Sequence, residues 1–339
     1  FNSEIISILS RLGAGVDVVS MGELNKAILS GVDENKIVFS GVGKTKEEIE
    51  FAIKKKIKQL NVESKEELED VNFICSKLKS KVNISLRINP DVSADTHDKI
   101  STGRSEDKFG IPNDNIEEIF KKYRNNKFIK IIGLSVHIGS QIQSLKPFKD
   151  AFIIVKKTVN NLMNKGFRVK SLDLGGGIGI KYNKRNKLIN IKSYAKLIET
   201  LFSDLELEII IEPGRFLVGQ SGIIVSKIIR IKNAKKKVFL IIDAGMNNLI
   251  RPALYNATHD LIPARLKNIA KVNYDVVGPI CETSDLFIKN LKIQKFNNDD
   301  LVVICSTGAY GSCMASNYNL RDEAEELFVK KNKEKIVKR

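Results

Sequence analysis

The sequence has no tryptophan, three histidines and four cysteines among its 339 residues. The cysteines are Cys75, Cys281, Cys305 and Cys313, and no two of them form a C-x-x-C pair. With so few possible ligands, the sequence argues against a structural zinc site. Few cysteines in a long chain are typical of a reducing compartment, which predicts a cytoplasmic protein. No run of about 18 apolar residues occurs, so no transmembrane helix is predicted.

The chain carries 56 lysines and arginines against 40 acidic residues, a formal net charge of +16. Such a charge can indicate a nucleic-acid partner or an anionic membrane surface. The basic residues are scattered, with short runs at 54–56 and 235–237 and no aromatic residues between them. We therefore favour a lysine-rich surface and predict neither a nucleic-acid nor a membrane partner.

The first two thirds of the chain alternates strand-like and amphipathic helical stretches. The predicted strands are 15–20, 37–40, 58–62, 82–89, 131–137, 170–174 and 209–211. The predicted helices are 3–12, 22–30, 46–56, 65–79, 113–123, 147–165 and 192–205. This alternation predicts a parallel sheet with right-handed crossovers. Polar residues follow the ends of many predicted strands, whereas an open doubly wound sheet would concentrate them at one switch point. We therefore favour a (β/α)8 TIM-type barrel lacking its first strand over an open doubly wound sheet.

After Phe216 the pattern changes to short strand-like runs without helices between them. These runs are 222–231, 238–243, 274–277 and 301–304. They predict a C-terminal all-β domain. We place the boundary so that the α/β barrel is residues 1–216 and the β domain is residues 217–339. Within the latter, the charged segment 321–339 has a partly helical pattern.

Two predicted strands break into glycine turns about 35 residues apart, at Gly175–Gly179 and at Glu212–Arg215. Glycine lets backbone N–H groups approach an anion closely, and parallel strands end at the same edge of the sheet. A carboxylate at Glu212 can hold a proton on a heterocyclic nitrogen, and Arg215 can bind phosphate. His137 ends another strand, just before a similar turn at Gly139–Ser140. The pattern favours a phosphate-bearing cofactor here, with His137 as a site residue and not a core histidine.

With these turns and several further segments, the chain resembles the diaminopimelate decarboxylases. These are decarboxylases of the alanine-racemase-like fold (fold type III) that depend on pyridoxal 5'-phosphate (PLP). The segments that carry the resemblance are 13–20, 96–103, 108–111, 137–141, 175–179, 212–215, 243–255, 278–285 and 308–311. Those around Thr96 and Asn247 are similar to this branch in particular, and separate it from ornithine- and arginine-type relatives.

The resemblance implies that PLP is bound by residues at the strand ends. His137 would stack on the pyridine ring, and Glu212 would pair with the protonated ring nitrogen. The other cofactor-binding residues, most of them holding the phosphate group, would be Ser140, Gly175, Gly176, Gly177, Pro213, Gly214, Arg215 and Tyr310.

The resemblance also implies meso-diaminopimelate as substrate, with L-lysine and CO2 as products in the last step of lysine biosynthesis. The distal end of this substrate would be bound by Arg215, Arg251, Tyr255, Glu282 and Tyr310. Such a zwitterionic end needs arginine forks for its carboxylate and a glutamate for its ammonium group.

Cys281 differs from the other cysteines because residues 282–285 after it are all polar or charged. The resemblance implies that Cys281 returns a proton to the carbanion left when CO2 departs. A thiol suits this role because its unperturbed pKa, about 8.5, lies near the working pH. We interpret Cys75, Cys305 and Cys313 as small buried apolar residues.

The chain departs from the family pattern at two places. The lysine that holds PLP as a Schiff base would lie a few residues before Phe1, and Lys26, Lys44 and Lys46 are not suitably placed. We therefore expect an N-terminally truncated enzyme, which would be unstable alone because its barrel would have two unpaired edges. Near the other end, residues 320–324 replace an Arg-Pro-Arg-like stretch, a change that concerns packing and not chemistry.

Three alternatives stay open at this point. The first is a decarboxylase of another basic amino acid, such as ornithine, arginine or lysine; Arg251 argues against it, since a plain diamine end has no carboxylate to bind. The second is a non-catalytic homologue, against which the pair Cys281 and Glu282 argues. The third is nucleic-acid binding. The resemblance further implies a homodimer with shared active sites, to which Cys281 and Glu282 come from the neighbouring subunit.

Overall fold

The computed structural model describes residues 2–92, 108–183 and 186–330, and the backbone of 333–337. The motif segment 96–103 lies outside the described residues. The chain forms two compact units. The first comprises Phe1–Gly177 and Ile189–Pro213, and the second comprises Ile178–Leu188 and Gly214–Lys338. Within the described residues, no helix is both long enough and apolar enough to cross a membrane.

The first unit alternates strands and helices along the chain. Its strands are β1 (Val16–Val18), β2 (Ile37–Phe39), β3 (Gln59–Val62), β4 (Val82–Asn89), β5 (Ile111–Pro112), β6 (Ile129–Ser135), β7 (Ser171–Asp173) and β8 (Glu208–Ile210). Its helices are α1 (Ser3–Arg11), α2 (Met21–Leu29), α3 (Lys46–Lys55), α4 (Lys65–Leu78), α5 (Ile116–Tyr123), α6 (Lys146–Asn164) and α7 (Ile191–Phe202).

The strands of the first unit pair in parallel and in chain order. The order is β1-β2-β3-β4-β6-β7-β8, and the two-residue strand β5 pairs with the end of β4. A curved parallel sheet whose strands follow the chain order, with helices between them, is the arrangement of a TIM-type barrel. The predicted barrel fold is therefore confirmed, and the carboxyl ends of its strands lie at one edge.

A threonine or serine side chain caps the N-terminus of two helices that follow strands. Thr45 caps α3 and forms a capping box with Glu48, and Ser64 caps α4 by accepting from the Glu67 N–H. These side chains satisfy backbone donors that a helix start would leave unpaired. The caps fix the loops at the carboxyl edge of the sheet, where the candidate site lies.

The second unit is built mainly of antiparallel strands. Its elements are α8 (Gly214–Val218), β9 (Ile224–Ala234), β10 (Lys237–Ile242), α9 (Arg251–Tyr255), β11 (Leu261–Pro263), β12 (Lys271–Val277), β13 (Leu286–Gln294), β14 (Leu301–Ile304), β15 (Glu326–Lys330) and β16 (Lys333–Val337). The main sheet has the order β11-β14-β9-β10-β12-β13 around a core that includes Ile228, Leu240 and Tyr274. The β-rich second part is thus confirmed, with two short helices added to it.

The partly helical interpretation of 321–339 is wrong. Strands β15 and β16 pair antiparallel, with Leu327 opposite Ile336 and Val329 opposite Glu334. Apolar Leu327 and Val329 alternate with charged or aromatic neighbours at a period of two, which is the period of a strand. High charge had obscured that alternation.

The interpretation of three cysteines as buried also needs correction. Cys75 is buried in α4, but Cys305 is half-buried and Cys313 is exposed. Cys313 lies in a single turn of 3-10 helix, Ser312–Met314, which has no buried face to receive it.

Candidate active site

Buried polar side chains from several strands meet at the carboxyl edge of the first unit's sheet. The Asn61 amide on β3 donates to Ser40 Oγ and to Asp173 Oδ2, each at 3.0 Å. The Gly175 N–H donates to Asp173 Oδ1 at 3.0 Å. Asp173 is only 1% exposed, and this burial raises the pKa of its carboxyl group. The carboxylate is therefore fixed in place by donors on both oxygens.

A buried ion pair lies beside this cluster. Arg87 Nη1 on β4 donates to Glu63 Oε1 at 2.8 Å, and both side chains are buried. The N–H groups of Gly41 and Gly110 also donate to the Glu63 carboxylate, at 3.0 and 3.2 Å. Because its remaining acceptor positions are satisfied in this way, Glu63 can hold the Arg87 charge inside the barrel.

Glu212 follows β8 and faces two other carboxyl groups. Burial, followed by the charges of Asp17 and Asp173, raises the pKa of Glu212 well above its usual value. Glu212 and Asp173 are hydrogen-bonded, and two carboxyl groups can share such a bond only if one carries a proton. This hydrogen bond lowers the pKa of Asp173 and raises that of Glu212, so Glu212 is the proton donor. Glu212 Oε1 is buried and has no hydrogen-bond partner in the described part of the chain.

His137 is neutral in this setting. Burial, and then the positive charge of Arg87, lowers the pKa of His137 to about 4. The Gly176 N–H donates to His137 Nδ1 at 3.3 Å, so Nδ1 is an acceptor and the ring proton lies on Nε2. Glu212 Oε2 is 4.0 Å from the same Nδ1.

The glycine cluster lets three loops approach one another. Gly177 has φ +98°, and a Cβ there would clash with the carbonyl oxygen of Gly139. A Cβ on Gly176 would clash with the carbonyl oxygen of Glu212. Only glycine leaves room for these contacts. The structure thus brings His137, Gly175–Gly177 and Glu212 together, and Ser140 and Pro213 follow members of this group closely in the chain.

In the second unit, Tyr182 lies beside two of the predicted substrate arginines. Arg215 Nη1 donates to the Tyr182 hydroxyl. The guanidinium carbon of Arg251 is 4.2 Å from the centroid of the Tyr182 ring, and that of Arg215 is 4.5 Å from the centroid of the Tyr310 ring. Cation–π contacts of this kind orient the guanidinium planes. Tyr255 ends the helix α9 that Arg251 begins, and Gly214 begins α8.

His259 supports Arg251 from behind. Burial is the largest cause that lowers the pKa of His259 to about 4, so its ring is neutral. His259 Nδ1 is 2.9 Å from the Cys305 carbonyl oxygen, which can only accept, so Nδ1 carries the ring proton. His259 Nε2 can then accept from Arg251 Nη1 at 2.7 Å. The 5% exposed Arg251 is therefore held in one orientation.

Cys281 and Glu282 lie in the loop between β12 and β13. Cys281 is exposed, and its N–H donates to Asn319 Oδ1 at 3.2 Å. The Glu282 carboxylate accepts from the Tyr318 hydroxyl at 2.6 Å and from Ser284 Oγ at 2.8 Å. These two hydrogen bonds lower the pKa of Glu282, which is therefore an exposed carboxylate.

Several of these residues are not among those predicted from the sequence. Three of them, Asp173, Asn61 and Arg87, are buried polar residues within strands. The sequence signal that could have identified them is a polar residue near the end of a predicted strand. His259 could have been suspected because the chain has only three histidines. Tyr182 lies in a loop and Tyr318 begins a short 3-10 helix, and no sequence signal singles them out. Among the described residues, no group of three or more His, Cys, Asp or Glu side chains could hold a metal ion.

We expect the free energy of unfolding of the cofactor-free protein to fall as the pH rises from about 7.5 to 8.5. His137 and His259 are neutral over this range in the folded protein, where their pKa values are about 4, and largely neutral in the unfolded chain, where the pKa is about 6.5. The raised pKa values of Asp173 and Glu212 mean that the folded state keeps a proton that the unfolded state has lost. Each such proton lowers stability by about 1.4 kcal/mol per pH unit.

Denaturant unfolding at several pH values measures this slope. Asp173→Asn removes one negative charge beside Glu212 and should flatten it, whereas Asp114→Asn, at an exposed position of the same unit, should leave it unchanged. If the free energy of unfolding had the same pH dependence in the native protein and in Asp173→Asn, the retained proton would not belong to the pair Asp173 and Glu212.

Comparison with known proteins identifies the family. Residues 1–219 match the family model described as pyridoxal-dependent decarboxylase, pyridoxal binding domain. The chain is 43% identical over 339 residues to the diaminopimelate decarboxylase of Vibrio cholerae, covering 99% of this chain and 81% of the relative. It is 40% identical over 342 residues to that of Aquifex aeolicus, covering 100% and 81%.

A solved structure agrees with these sequence matches. The crystal structure of diaminopimelate decarboxylase from Helicobacter pylori complexed with L-lysine is similar at a TM-score of 0.95 and 40% identity, over 99% of this chain and 84% of that chain. The strand-end carboxyl group, the neutral histidine and the glycine cluster lie within the matched pyridoxal-binding domain. The chain therefore belongs to the diaminopimelate decarboxylases, within the pyridoxal-dependent decarboxylase family.

Proposed function

We propose that this protein uses PLP to decarboxylate meso-2,6-diaminopimelate to L-lysine and CO2, the last step of lysine biosynthesis. The observation that carries the proposal is the match to diaminopimelate decarboxylases at about 40% identity over nearly the whole chain. The polar cluster at the carboxyl edge of the barrel supports it independently.

The residues of that cluster fit PLP. The buried, unpartnered Oε1 of Glu212 needs a donor, and a protonated pyridine nitrogen is a donor with the complementary charge. The neutral ring of His137 can lie against an aromatic ring without adding charge. The clashes that a Cβ would cause at Gly176 and Gly177 show that the backbone there has no room for side chains, and a backbone without side chains can approach a phosphate closely. Ser140, Gly214 and Arg215 would add phosphate donors.

PLP, when bound, supplies an electron sink that accepts the electron pair left when the carboxylate departs as CO2. The protein's part is to hold charge and protons at fixed atoms. Glu212 would face the ring nitrogen as an anion, so the proton that its raised pKa retains in the cofactor-free protein would leave when the positively charged ring binds. Arg87 balances the negative charge of this cluster from its buried pair with Glu63.

The distal end of the substrate would be recognised by opposite charges on the second unit. Arg251 and Arg215 would bind the distal carboxylate, and Glu282 would bind the distal ammonium group. Tyr255 and Tyr310 would line this part of the site. The support for this assignment is that Tyr182 and His259 fix both guanidinium groups in orientation, while two hydrogen bonds keep Glu282 ionised.

Cys281 would return the proton after CO2 has left. Its thiol is exposed on the loop that also carries Glu282, so a proton donor and an ammonium-binding group are adjacent in the chain. We further propose a homodimer in which Cys281 and Glu282 serve the active site of the neighbouring subunit. The loop is held by Asp285, whose carboxylate accepts from the N–H groups of Met246 and Ile280 at 2.7 Å each.

A competition assay tests the substrate. The PLP-loaded protein is given equal concentrations of meso-diaminopimelate, ornithine, arginine and lysine, and CO2 release and amine products are measured. We expect L-lysine from diaminopimelate as the dominant product. Arg251→Lys should lower kcat/KM for diaminopimelate by about tenfold to a hundredfold, because a charge-assisted hydrogen bond contributes about 1.5–3 kcal/mol.

Arg265→Lys, at an exposed position of the same unit, is the matched control and should leave kcat/KM unchanged. Faster turnover of ornithine or arginine would replace the proposed substrate. An Arg251→Lys protein with native kcat/KM would remove Arg251 from the distal carboxylate site.

A further inference from the structure

A cavity of about 960 Å³ lies at the amino-terminal end of the first unit's strands. Its walls include the residues that start β4, β6 and β7, and the ends of α3 and α5. His137 and Glu212 follow the opposite, carboxyl ends of strands in the same sheet. The cavity is therefore separate from the candidate active site, and its volume is within the range of small-molecule pockets, about 300–1,000 Å³.

Every charged residue that lines the described part of this cavity is basic. There are eight such residues, among them Lys58, Lys81, Lys127, Lys130, Arg168 and Lys170. The whole chain has 56 basic and 40 acidic residues, so a random sample of its charges would have included several carboxylates. The excess of basic residues in the whole chain therefore does not explain why the charged residues that line the cavity are all basic.

The positive charges are also poorly neutralised. Lys58 forms an ion pair with Glu208 at 2.7 Å, and in the described residues no carboxylate lies within ion-pair distance of the other seven. Lys130 is on β6, and the Lys170 N–H donates to the Ile132 carbonyl of that strand at 2.7 Å, so the two lysines lie side by side. The positive charge of Arg168, followed by that of Lys130, lowers the pKa of Lys170.

Helix dipoles explain only part of this clustering. Lys56 is the C-cap of α3 and Arg124 is the C-cap of α5, where a cation complements the negative end of a helix. Lys81, Lys130 and Lys170 lie at or near strand starts, where no such dipole exists. These three lysines are exposed, so water screens part of their mutual repulsion, and an anion bound between them would reduce it further.

We propose that this cavity binds an anion that carries a chain of phosphate groups. Lysine is a common phosphate ligand that acts as a point charge, whereas planar carboxylate recognition favours paired arginine forks. Six of the eight basic residues are lysines. A linear polyphosphate and the triphosphate of a nucleotide share this chemistry. The inference goes beyond the proposed decarboxylation and does not depend on it.

Calorimetric titration of the PLP-loaded protein with inorganic tripolyphosphate tests the proposal. PLP is kept saturating so that the titrant cannot bind at the cofactor's phosphate site, and the ionic strength is about 0.15 M to screen weak surface attraction. We expect one saturable site per chain. The double variant Lys130→Gln with Lys170→Gln should raise Kd about tenfold or more, because two charged contacts are lost.

The double variant Lys235→Gln with Lys236→Gln removes the same charge from the exposed turn between β9 and β10 and is the control. Its Kd should stay within about twofold of native, since distant charges are screened. Equal weakening in both double variants, or no saturable binding, would overturn the proposal, and so would citrate binding as tightly as tripolyphosphate. ATP binding more tightly than tripolyphosphate would identify a nucleotide as the source of the phosphates. Decarboxylase activity should be native in both variants, which keeps this test independent of the proposed function.

Discussion

Replacing Glu212 by glutamine is expected to weaken PLP binding and to lower the turnover of the PLP-saturated enzyme, each by about a hundredfold. Glutamine keeps the size of the side chain but cannot be an anion beside a protonated ring nitrogen. The lost charge-assisted hydrogen bond lies in a buried site, where it is worth about 1.5–3 kcal/mol in binding. The same group opposes charge that develops during the reaction, and losing such a group typically lowers turnover by about 100- to 1,000-fold.

PLP affinity from absorbance titration and kcat at saturating PLP measure the two effects separately. Glu206→Gln, at an exposed position just before β8, is the matched control and should alter neither. Because Glu212 is the proton donor to Asp173 in the cofactor-free protein, Glu212→Gln should also flatten the pH dependence of stability. Native PLP affinity in Glu212→Gln would show that the ring nitrogen is held by another group.

Much of the fold could be predicted because its signals are local. The strand 82–89 and the strand 301–304 were predicted with the bounds that the structure has. The predicted start of α3 at residue 46 agrees with the structure, where Thr45 and Glu48 form a capping box within four residues. Strand β11 was missed because it has only three residues and pairs with the distant β14, and β13 was missed because charged and polar residues interrupt its apolar pattern.

The part of the candidate site that could be predicted consists of residues in glycine turns at the ends of strands. Glycines 175–177 and Glu212 stand at strand ends, and the structure places them in contact. The supporting network was not predictable, because its hydrogen bonds join distant parts of the chain: Asn61 and Asp173 are 112 positions apart. Strand register alone decides that these two side chains meet, and register depends on the whole sheet.

Replacing Cys281 by alanine is expected to lower turnover by about a hundredfold or more while leaving PLP affinity native. General acid catalysis by a positioned side chain contributes about 100- to 10,000-fold, and alanine has no proton to give. The effect should appear in kcat more than in kcat/KM, because the proton is delivered after CO2 has left and kcat/KM reports only the steps up to the first irreversible one. Cys313→Ala is the matched control, since Cys313 is also exposed in the second unit. Native turnover in Cys281→Ala would remove its assigned role.

Mixing two inactive variants determines which subunit supplies Cys281. Cys281→Ala subunits have an intact Glu212, and Glu212→Gln subunits have an intact Cys281. If Cys281 serves the neighbouring subunit's site, each mixed dimer has one site with both native residues. Random exchange makes about half of the dimers mixed, so activity should recover to about a quarter of native. If Cys281 serves its own subunit, every site in every dimer lacks one residue, and mixing restores nothing. The recovered fraction should fall on dilution below the dimer dissociation constant, because the shared site requires both chains.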